Sequence, residues 1–266
     1  MGAGSGEVSG KTRVLGILAH PTDHVKAPPA INRIAANRGR DAIMVPMNVA
    51  PADLSTFVGS LRSLQNFDGA IVTVPHKQAM LPLCDEVSRH AKLVGAVNVI
   101  RRTQDGRLVG DQLDGTGFVN GLRQANVSIS GSAYLVGAGG AANAIAFALA
   151  DAGIKRLTLA NRTPEKAEVL KSKLMAAYPA MDVSVGGADP SGHDLIINGT
   201  TLGMSATDPL PLDASKLNAR MVVAEVVMEP KFTPLLAIAR EAGARIHFGH
   251  HMLDNQLQLM ADFLGL

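Results

Sequence analysis

Short apolar runs alternate with amphipathic segments along the whole chain. A short apolar run bounded by turn residues predicts a buried strand, and apolar residues three or four positions apart predict a helix. The clearest helical spacing is that of Leu54, Phe57, Val58, Leu61 and Leu64. The predicted strands cover 13–18, 42–47, 68–74, 96–100, 107–110, 133–136, 155–160, 194–198 and 221–224, and the predicted helices cover 31–37, 53–65, 143–149, 233–242 and 251–263. Alternation of this kind predicts an α/β fold with parallel sheets.

Turn residues divide this pattern at several places. Prolines interrupt 20–29, which is predicted to be a loop, and Asp105-Gly106 lies between two predicted strands and is typical of a hairpin. Asp114-Gly115-Thr116-Gly117 is predicted to be a glycine-rich joint leading into the second half of the chain. Residues 1–10 are rich in Gly and Ser and are predicted to be a disordered leader.

The segment from Ala133 to Leu149 indicates a dinucleotide-binding turn. A strand here ends at Gly137-Ala138-Gly139-Gly140-Ala141, and a helix of small residues follows at once. The first glycine permits a tight turn, the second lets the backbone approach a pyrophosphate, and the small Ala142 lets the helix pack against its strand. The helix N-terminus then offers free N–H groups to a phosphate. These residues predict a dinucleotide as the class of ligand.

The end of the next predicted strand bears on which cofactor binds. An Asp or Glu there suits the free ribose hydroxyl of NAD, whereas Arg or Lys suits the 2′-phosphate of NADP. This chain has Asn161-Arg162-Thr163 at that point and Lys166 four residues after Arg162. NADP is therefore favoured. NAD stays the alternative, because Asn161 could hydrogen-bond a ribose hydroxyl.

Composition narrows the functional classes further. The 266 residues carry a formal net charge of +2, too small to indicate nucleic acid or an anionic membrane as partner. Cys84 is the only cysteine, so an internal disulfide is excluded. No segment approaches the roughly 20 apolar residues of a membrane span, and a cytoplasmic location is expected. The sequence indicates no set of metal ligands.

Several motifs in a fixed order bear on the family. They are Val72–Lys77, Gly95–Asn98, Gly110–Gly115, Gly137–Ala141, Asn161–Thr163, Asn198–Met204, and Met252-Leu253 before Gln256. By these motifs the chain resembles the shikimate/quinate dehydrogenase family from about Arg13 to its C-terminus. The resemblance implies an α/β substrate-binding domain at 11–112, completed by 244–266, and a Rossmann-like dinucleotide-binding domain at 113–243. It also implies an active site in the cleft between them, and a monomer or homodimer acting on a small alicyclic alcohol.

The resemblance assigns roles to particular residues. Oxidation of a secondary alcohol removes a hydroxyl proton while hydride leaves for the nicotinamide, and a lysine beside a carboxylate suits that transfer. Lys77 and Asp114 match the catalytic pair of the family, and Thr73, Asn98 and Gln256 match positions that bind ring hydroxyls. The cofactor contacts implied in addition to the glycine turn, Asn161, Arg162, Thr163 and Lys166 are Thr200, Val226 and Gly249.

Three positions depart from the family pattern. The family carries Ser-x-Ser-Pro after its first strand, and those hydroxyls hold the substrate carboxylate; Val25 and Ala27 stand there in this chain. Met228 replaces a tyrosine that assists them. The loss of these donors predicts that shikimate is a poor substrate, since an unpaired buried carboxylate is costly. Two hypotheses remain: an apolar pocket end for a ring without that carboxylate, or an acid bound from another side by His24 or Lys26.

The leading function is thus an NAD(P)-dependent oxidoreductase acting on a shikimate-like alicyclic alcohol, not shikimate itself. One alternative is a genuine shikimate/quinate dehydrogenase with a rearranged carboxylate site. The other is a non-catalytic dinucleotide or metabolite sensor on the same scaffold. Lys77 and Asp114 favour an enzyme, because a sensor needs no proton-transfer pair.

Overall fold

The computed structural model describes residues 8–23 and 25–266, so residues 1–7 of the expected leader and His24 lie outside the described residues. The chain forms two compact units. The first consists of the described part of Met1–Leu113 together with Leu257–Leu266, and the second is Asp114–Gln256. Each unit contains its own sheet.

The first unit is a mixed sheet with helices. Its strands run in the order β2-β1-β3-β5-β6-β4, with β1 parallel to β2 and β3, and with β5 antiparallel to β3 and β6. The β5–β6 pair is the hairpin predicted from Asp105-Gly106, so this sheet is not purely parallel. The elements are β1 (Arg13–Ala19), α1 (Ala27–Asn37), β2 (Ala42–Asn48), α2 (Leu54–Leu61), β3 (Phe67–Val72), α3 (Lys77–Met80), β4 (Glu86–Val87), α4 (Arg89–Val94), β5 (Val99–Arg102) and β6 (Leu108–Asp111).

Two helices of this unit have other bounds than the sequence predicts. Helix α1 begins at Ala27, inside the predicted loop, because Pro28 and Pro29 occupy its first turn, where a missing N–H breaks no helical hydrogen bond. Helix α2 ends at Leu61 instead of Gln65. In each of the next three residues the N–H donates to the carbonyl oxygen three positions earlier, which gives a tighter turn than the α-helix. Leu64 therefore leaves the buried face of α2 and is 42% exposed. The α2 residues Leu54, Val58 and Leu61 are buried, as their spacing predicts.

The second unit is a Rossmann-like α/β unit. Its strands run in the order β12-β11-β10-β7-β8-β9, and the neighbours are parallel, which confirms the predicted parallel sheet. Because the strands are parallel, their carboxyl ends lie along one edge of the sheet. The elements are α5 (Asp114–Gln124), β7 (Ser132–Val136), α6 (Gly140–Asp151), β8 (Arg156–Ala160), α7 (Pro164–Ala177), β9 (Asp182–Val185), β10 (Leu195–Asn198), β11 (Val222–Glu225), α8 (Pro234–Glu241), β12 (Arg245–His247) and α9 (His250–Phe263).

The expected joint at 114–117 is the first turn of α5, and the second unit begins at Asp114. Its glycines serve helix packing. A methyl group at Gly115 would overlap the carbonyl oxygen of Ala144 in α6, and one at Gly117 would lie 2.8 Å from the Cβ of Gln256 in α9. The glycines at 115 and 117 therefore allow α6 and α9 to pack closely against α5.

The expected domain limit at 243/244 falls before β12. That strand pairs with β11, so residues 245–247 belong to the second sheet, and the division between the two units lies at Leu257. Within the part of the chain that the structure describes, no helix is both long and apolar enough to cross a membrane.

Candidate active site

The turn between β7 and α6 has the geometry expected for phosphate binding. Gly137 adopts φ 113°, in the left-handed region that favours glycine, and its N–H donates to the carbonyl oxygen of Ala160 at 2.7 Å. A Cβ at Gly137 would approach the carbonyl oxygen of Gly199 to 2.9 Å. Both the conformation and the lack of space require glycine at this position.

The N-terminus of α6 is open to a ligand. A Cβ at Gly139 or Gly140 would meet no other atom within 4 Å, so the two exposed glycines border empty space. No side chain among the described residues caps α6, and Asn143 Nδ2 instead donates to the carbonyl oxygens of Ala138 and Gly139 at 2.9 and 2.8 Å. The first-turn N–H groups, including that of Ala141, are therefore available to an anionic ligand such as a pyrophosphate.

The residues expected at the adenosine end lie directly after β8. Asn161 Nδ2 donates to the carbonyl oxygen of Thr163 at 2.8 Å, which fixes this loop before α7. Arg162 and Lys166 are exposed, and among residues 8–23 and 25–266 their side chains make no hydrogen bond or ion pair. Glu165 lies in the first turn of α7. Two exposed cations therefore lie between the carboxyl end of β8 and the first turn of α7.

Thr200, Val226 and Gly249 meet at the carboxyl ends of β10 and β11. The Thr200 hydroxyl donates to Asn198 Oδ1 at 2.7 Å, and the Val226 N–H donates to the Asn198 carbonyl oxygen at 3.2 Å. A Cβ at Gly249 would lie 2.9 Å from the carbonyl carbon of Val226. The structure therefore brings together three residues that span 49 positions of the sequence.

A buried network beneath these residues was not predicted from the sequence. Asn198 and Glu225 are fully buried; Asn198 Nδ2 donates to Glu225 Oε2 at 3.0 Å, and the Thr233 hydroxyl donates to Glu225 Oε1 at 2.8 Å. Burial raises the pKa of Glu225, while these hydrogen bonds oppose the shift. The only sequence signal was an acid directly after the apolar run Met221–Ala224. The network fixes the ends of β10 and β11 and the start of α8.

The predicted catalytic carboxylate is held by a residue predicted to bind substrate. Asp114 begins α5 and is 5% exposed, and Gln256 Nε2 donates a hydrogen bond to Asp114 Oδ1. Gln256 is itself buried in α9. Within the second unit, this hydrogen bond thus orients Oδ1 of Asp114, the carboxylate of the predicted catalytic pair.

In the first unit, Thr73, Lys77 and Asn98 lie around the carboxyl end of β3. The Thr73 N–H donates to Leu18 O at 2.9 Å, and Lys77 begins α3, where its carbonyl oxygen accepts from Val97 N at 2.9 Å. Asn98 follows Val97, is fully buried, and accepts a hydrogen bond from Leu113 N on Oδ1 at 2.9 Å. These hydrogen bonds place Lys77 and Asn98 in one local framework, which consists of the end of β3, the start of α3 and the segment Val97–Asn98.

His76 belongs to the core of that framework. It is 1% exposed and its Nε2 lies 2.9 Å from the carbonyl oxygen of Val49. The β3–α3 connection therefore folds this side chain inward.

The positions that depart from the family pattern carry no polar side chain. Val25 is half-buried just before α1, and Ala27 is 7% exposed at its start. Lys26 between them is exposed. Met228 follows β11 and is 41% exposed. His24, the other candidate for an acid, lies outside the described residues.

Two family models match the chain. Residues 17–100 match the shikimate dehydrogenase substrate binding domain, and residues 122–200 match shikimate / quinate 5-dehydrogenase. A shikimate dehydrogenase (NADP(+)) of Paramagnetospirillum magneticum is 39% identical over 252 residues, which cover 94% of this chain and 91% of that protein.

Solved structures are similar over nearly the whole chain. Shikimate 5-dehydrogenase from Listeria monocytogenes, in complex with shikimate and NAD, superposes with a TM-score of 0.92 at 28% identity, over 98% of this chain and 94% of that one. The ligand-free 5-ketofructose reductase of Gluconobacter sp. strain CHM43 has a TM-score of 0.85 at 28% identity, over 96% of this chain and 98% of that one.

Proposed function

The chain belongs to the shikimate/quinate dehydrogenase family of NAD(P)-dependent oxidoreductases acting on CH–OH groups, and within that family we propose that its substrate is a hydroxylated ring other than shikimate. The resemblance predicted from the ordered motifs is confirmed by these matches, and so is the α/β fold. Membership fixes the reaction type, while the identity of the substrate rests on the residues that would surround it.

The observation that carries this proposal is the apolar pair at the start of α1. Val25 and Ala27 stand where the family pattern places two serine hydroxyls, and Met228 stands in place of the assisting tyrosine. Each hydrogen bond to a charged group contributes about 1.5–3 kcal/mol. A carboxylate placed against Val25 and Ala27 would lose both hydroxyl donors, so shikimate would bind weakly.

A neutral polyol satisfies the remaining groups better. Thr73, Asn98 and Gln256 can hydrogen-bond ring hydroxyls, and an apolar end of the pocket suits a substrate without a carboxylate. The similar protein from Gluconobacter is named for reduction of a keto sugar, a compound that has no carboxylate. That similarity supports a neutral cyclic or sugar-like alcohol as the substrate class.

In the proposed reaction, Lys77 accepts the hydroxyl proton as the alcohol carbon loses hydride, and Asp114 orients the lysine. The nicotinamide cofactor, when bound, takes up that hydride. Gln256 contributes by holding Asp114 Oδ1 in place. In the reverse direction Lys77 returns the proton to the new alcohol oxygen.

The cofactor proposed for this chain is NADP, with NAD as the alternative. Arg162 and Lys166 are exposed and without side-chain partners among the described residues, which suits a 2′-phosphate. Asn161 could instead serve the free hydroxyl of NAD. A cytoplasmic location and a monomeric or homodimeric state stay predictions.

Shikimate itself is the second candidate substrate, favoured by the names of the relatives. The Paramagnetospirillum protein, 39% identical over 94% of this chain, is a shikimate dehydrogenase (NADP(+)). If shikimate is the substrate, a residue other than the missing serines must bind its carboxylate. Lys26, which is exposed and lies between Val25 and Ala27, is the candidate among the described residues.

The test is a substrate panel with matched variants. NADP and NAD reduction is measured with shikimate, quinate and neutral cyclic polyols, for the wild type, Val25→Ser with Ala27→Ser, and Lys26→Ala. The proposal predicts that a neutral polyol is turned over best, and that the two serines raise kcat/KM for shikimate by about 100-fold. Efficient shikimate oxidation by the wild type, lost in Lys26→Ala and not improved by the serines, would instead establish the second candidate.

A further inference from the structure

The first turns of α9 gather side chains that can ligate a metal. The ligating atoms of His250, His251 and Asp254 all lie within 4.8 Å of one another. The two histidines are half-buried and the aspartate is exposed, so the group borders solvent. The rings of His250 and His251 have centroids 4.2 Å apart.

Neighbouring rings hold both histidines in position. Phe248 stacks on His250 with centroids 5.6 Å apart and an interplanar angle of 24°. On the other side, His247 packs against His251 at 4.7 Å. Since these contacts exclude large ring rotations, the two histidines need only small adjustments to bind an ion, which reduces the entropy lost on binding.

A second observation concerns His247 itself. It is 2% exposed, and its Nε2 is buried without a hydrogen-bond partner among the described residues. An unsatisfied buried nitrogen is uncommon in a folded protein and indicates a missing water or ion. This nitrogen belongs to the histidine whose ring packs directly on that of His251, next to the three clustered side chains.

We propose that His250, His251 and Asp254 bind one divalent transition-metal ion of the Zn²⁺ class, with solvent water completing its coordination. Two imidazoles and one carboxylate form a donor set typical of zinc, whereas Mg²⁺ and Ca²⁺ prefer oxygen donors. Ligands at about 2.0–2.2 Å from a tetrahedral zinc stand roughly 3.4 Å apart, so small side-chain rotations bring these atoms into range.

The site bears on the active centre through α9. Gln256, which donates to Asp114, lies on the same helix two residues after Asp254. A metal bound at the start of α9 restrains the turn that precedes Gln256. The site is therefore placed to stabilise the helix that orients the proposed catalytic carboxylate.

The experiment measures binding of Zn²⁺ to the full chain without a polyhistidine tag. After chelator treatment and desalting, ZnCl₂ is titrated by calorimetry and thermal unfolding is followed in parallel. We expect one ion per chain, and an increase in melting temperature that excess chelator reverses, because an ion that binds only the folded state stabilises it. His250→Ala and Asp254→Asn should each weaken binding at least tenfold.

His193→Gln is the matched control. His193 lies before β10 at the opposite end of the strand from Asn198, and its ring bonds to Thr158 and to the carbonyl oxygen of Pro190. This variant should bind Zn²⁺ as the wild type does. Absence of saturable binding to the wild type, or equal binding by His250→Ala, Asp254→Asn and the wild type, would overturn the proposal. Cofactor binding by each variant verifies that it is folded.

Discussion

Gln256 donates a hydrogen bond from Nε2 to Oδ1 of Asp114, and so joins α9 to the first residue of α5 across 142 positions of sequence. Asp114 is 5% exposed, so its carboxylate depends on protein donors more than on water. Gln256, predicted to bind substrate, and Asp114, predicted to act in proton transfer, are therefore coupled. A change in one side chain alters the environment of the other.

Gln256→Ala should impair both activity and stability. Removing the donor leaves a buried carboxylate with one partner fewer, which costs about 1–3 kcal/mol of unfolding free energy. It should also lower kcat/KM about 10–100-fold, because Asp114 loses its fixed orientation. Steady-state kinetics and denaturant unfolding measure the two effects. Gln258→Ala is the control: it is an exposed position on the same helix that loses only a solvent-exposed hydrogen bond from Arg38, so it should leave the kinetics unchanged and alter stability by no more than about 0.5 kcal/mol. Unaltered kinetics in Gln256→Ala would show that the hydrogen bond has no part in catalysis.

Gly117→Ala should destabilise the fold. The added methyl would lie 2.8 Å from Gln256 Cβ and 2.9 Å from Met252 O, so α9 must move away from α5. Overpacking of this kind costs roughly 1–3 kcal/mol. Gly59→Ala, inside α2 with no atom within 4 Å of the new Cβ, should instead stabilise by about 0.5–1 kcal/mol through helix propensity. Equal melting temperatures for the two variants would contradict this account of the glycines.

The glycines differ in whether the local sequence is sufficient to predict their role. The turn at Gly137 was predictable because its requirement is local: a strand end, a left-handed residue and a helix start follow one another directly. Gly115 and Gly117 are required by Ala144 and Gln256, which lie far along the chain, so the local sequence indicates the joint but not the helix packing that needs its glycines. The buried Glu225 is similar, because its partner Asn198 is 27 positions away.

Lys77→Met should greatly reduce turnover and leave cofactor binding intact. Loss of the proposed proton acceptor lowers kcat by about 10²–10⁴-fold. Lys92→Met, at an exposed lysine of α4 in the same unit, is the matched control and should keep wild-type kcat. Cofactor affinity is measured by fluorescence titration of NADPH. Retained turnover in Lys77→Met would exclude this lysine as the proton acceptor.

Arg162→Ala with Lys166→Ala should shift the cofactor preference. Loss of two cations near a 2′-phosphate should raise the KM for NADP about 10–100-fold, since a charge-assisted hydrogen bond contributes about 1.5–3 kcal/mol. The KM for NAD should stay within about twofold, because NAD has no 2′-phosphate. Lys173→Ala, exposed later in α7, controls for the general loss of positive charge. Parallel increases in both KM values would contradict a role in 2′-phosphate binding.

Asp194→Asn should destabilise the dinucleotide-binding unit in a pH-dependent way. Asp194 Oδ2 accepts hydrogen bonds from Ser132 N at 2.9 Å and from the Ser132 hydroxyl at 2.8 Å, which join the start of β7 to the segment before β10. These hydrogen bonds, with Arg156 nearby, lower the pKa of Asp194 below its usual value. Because the folded pKa lies below the unfolded one, this stabilisation is fully present above the unfolded pKa of about 3.9 and is lost as pH falls through the folded pKa.

The melting temperature of Asp194→Asn should therefore fall below that of the wild type at pH 7, and the difference should shrink as pH decreases below about 4. Asp182→Asn is the control, since Asp182 is exposed and its carboxylate makes no hydrogen bond within the described part of the chain. Thermal unfolding of the three proteins from pH 7 down to pH 3 measures the effect. A difference between Asp194→Asn and the wild type that stays constant over this range would show that the ionised carboxylate is not the stabilising form.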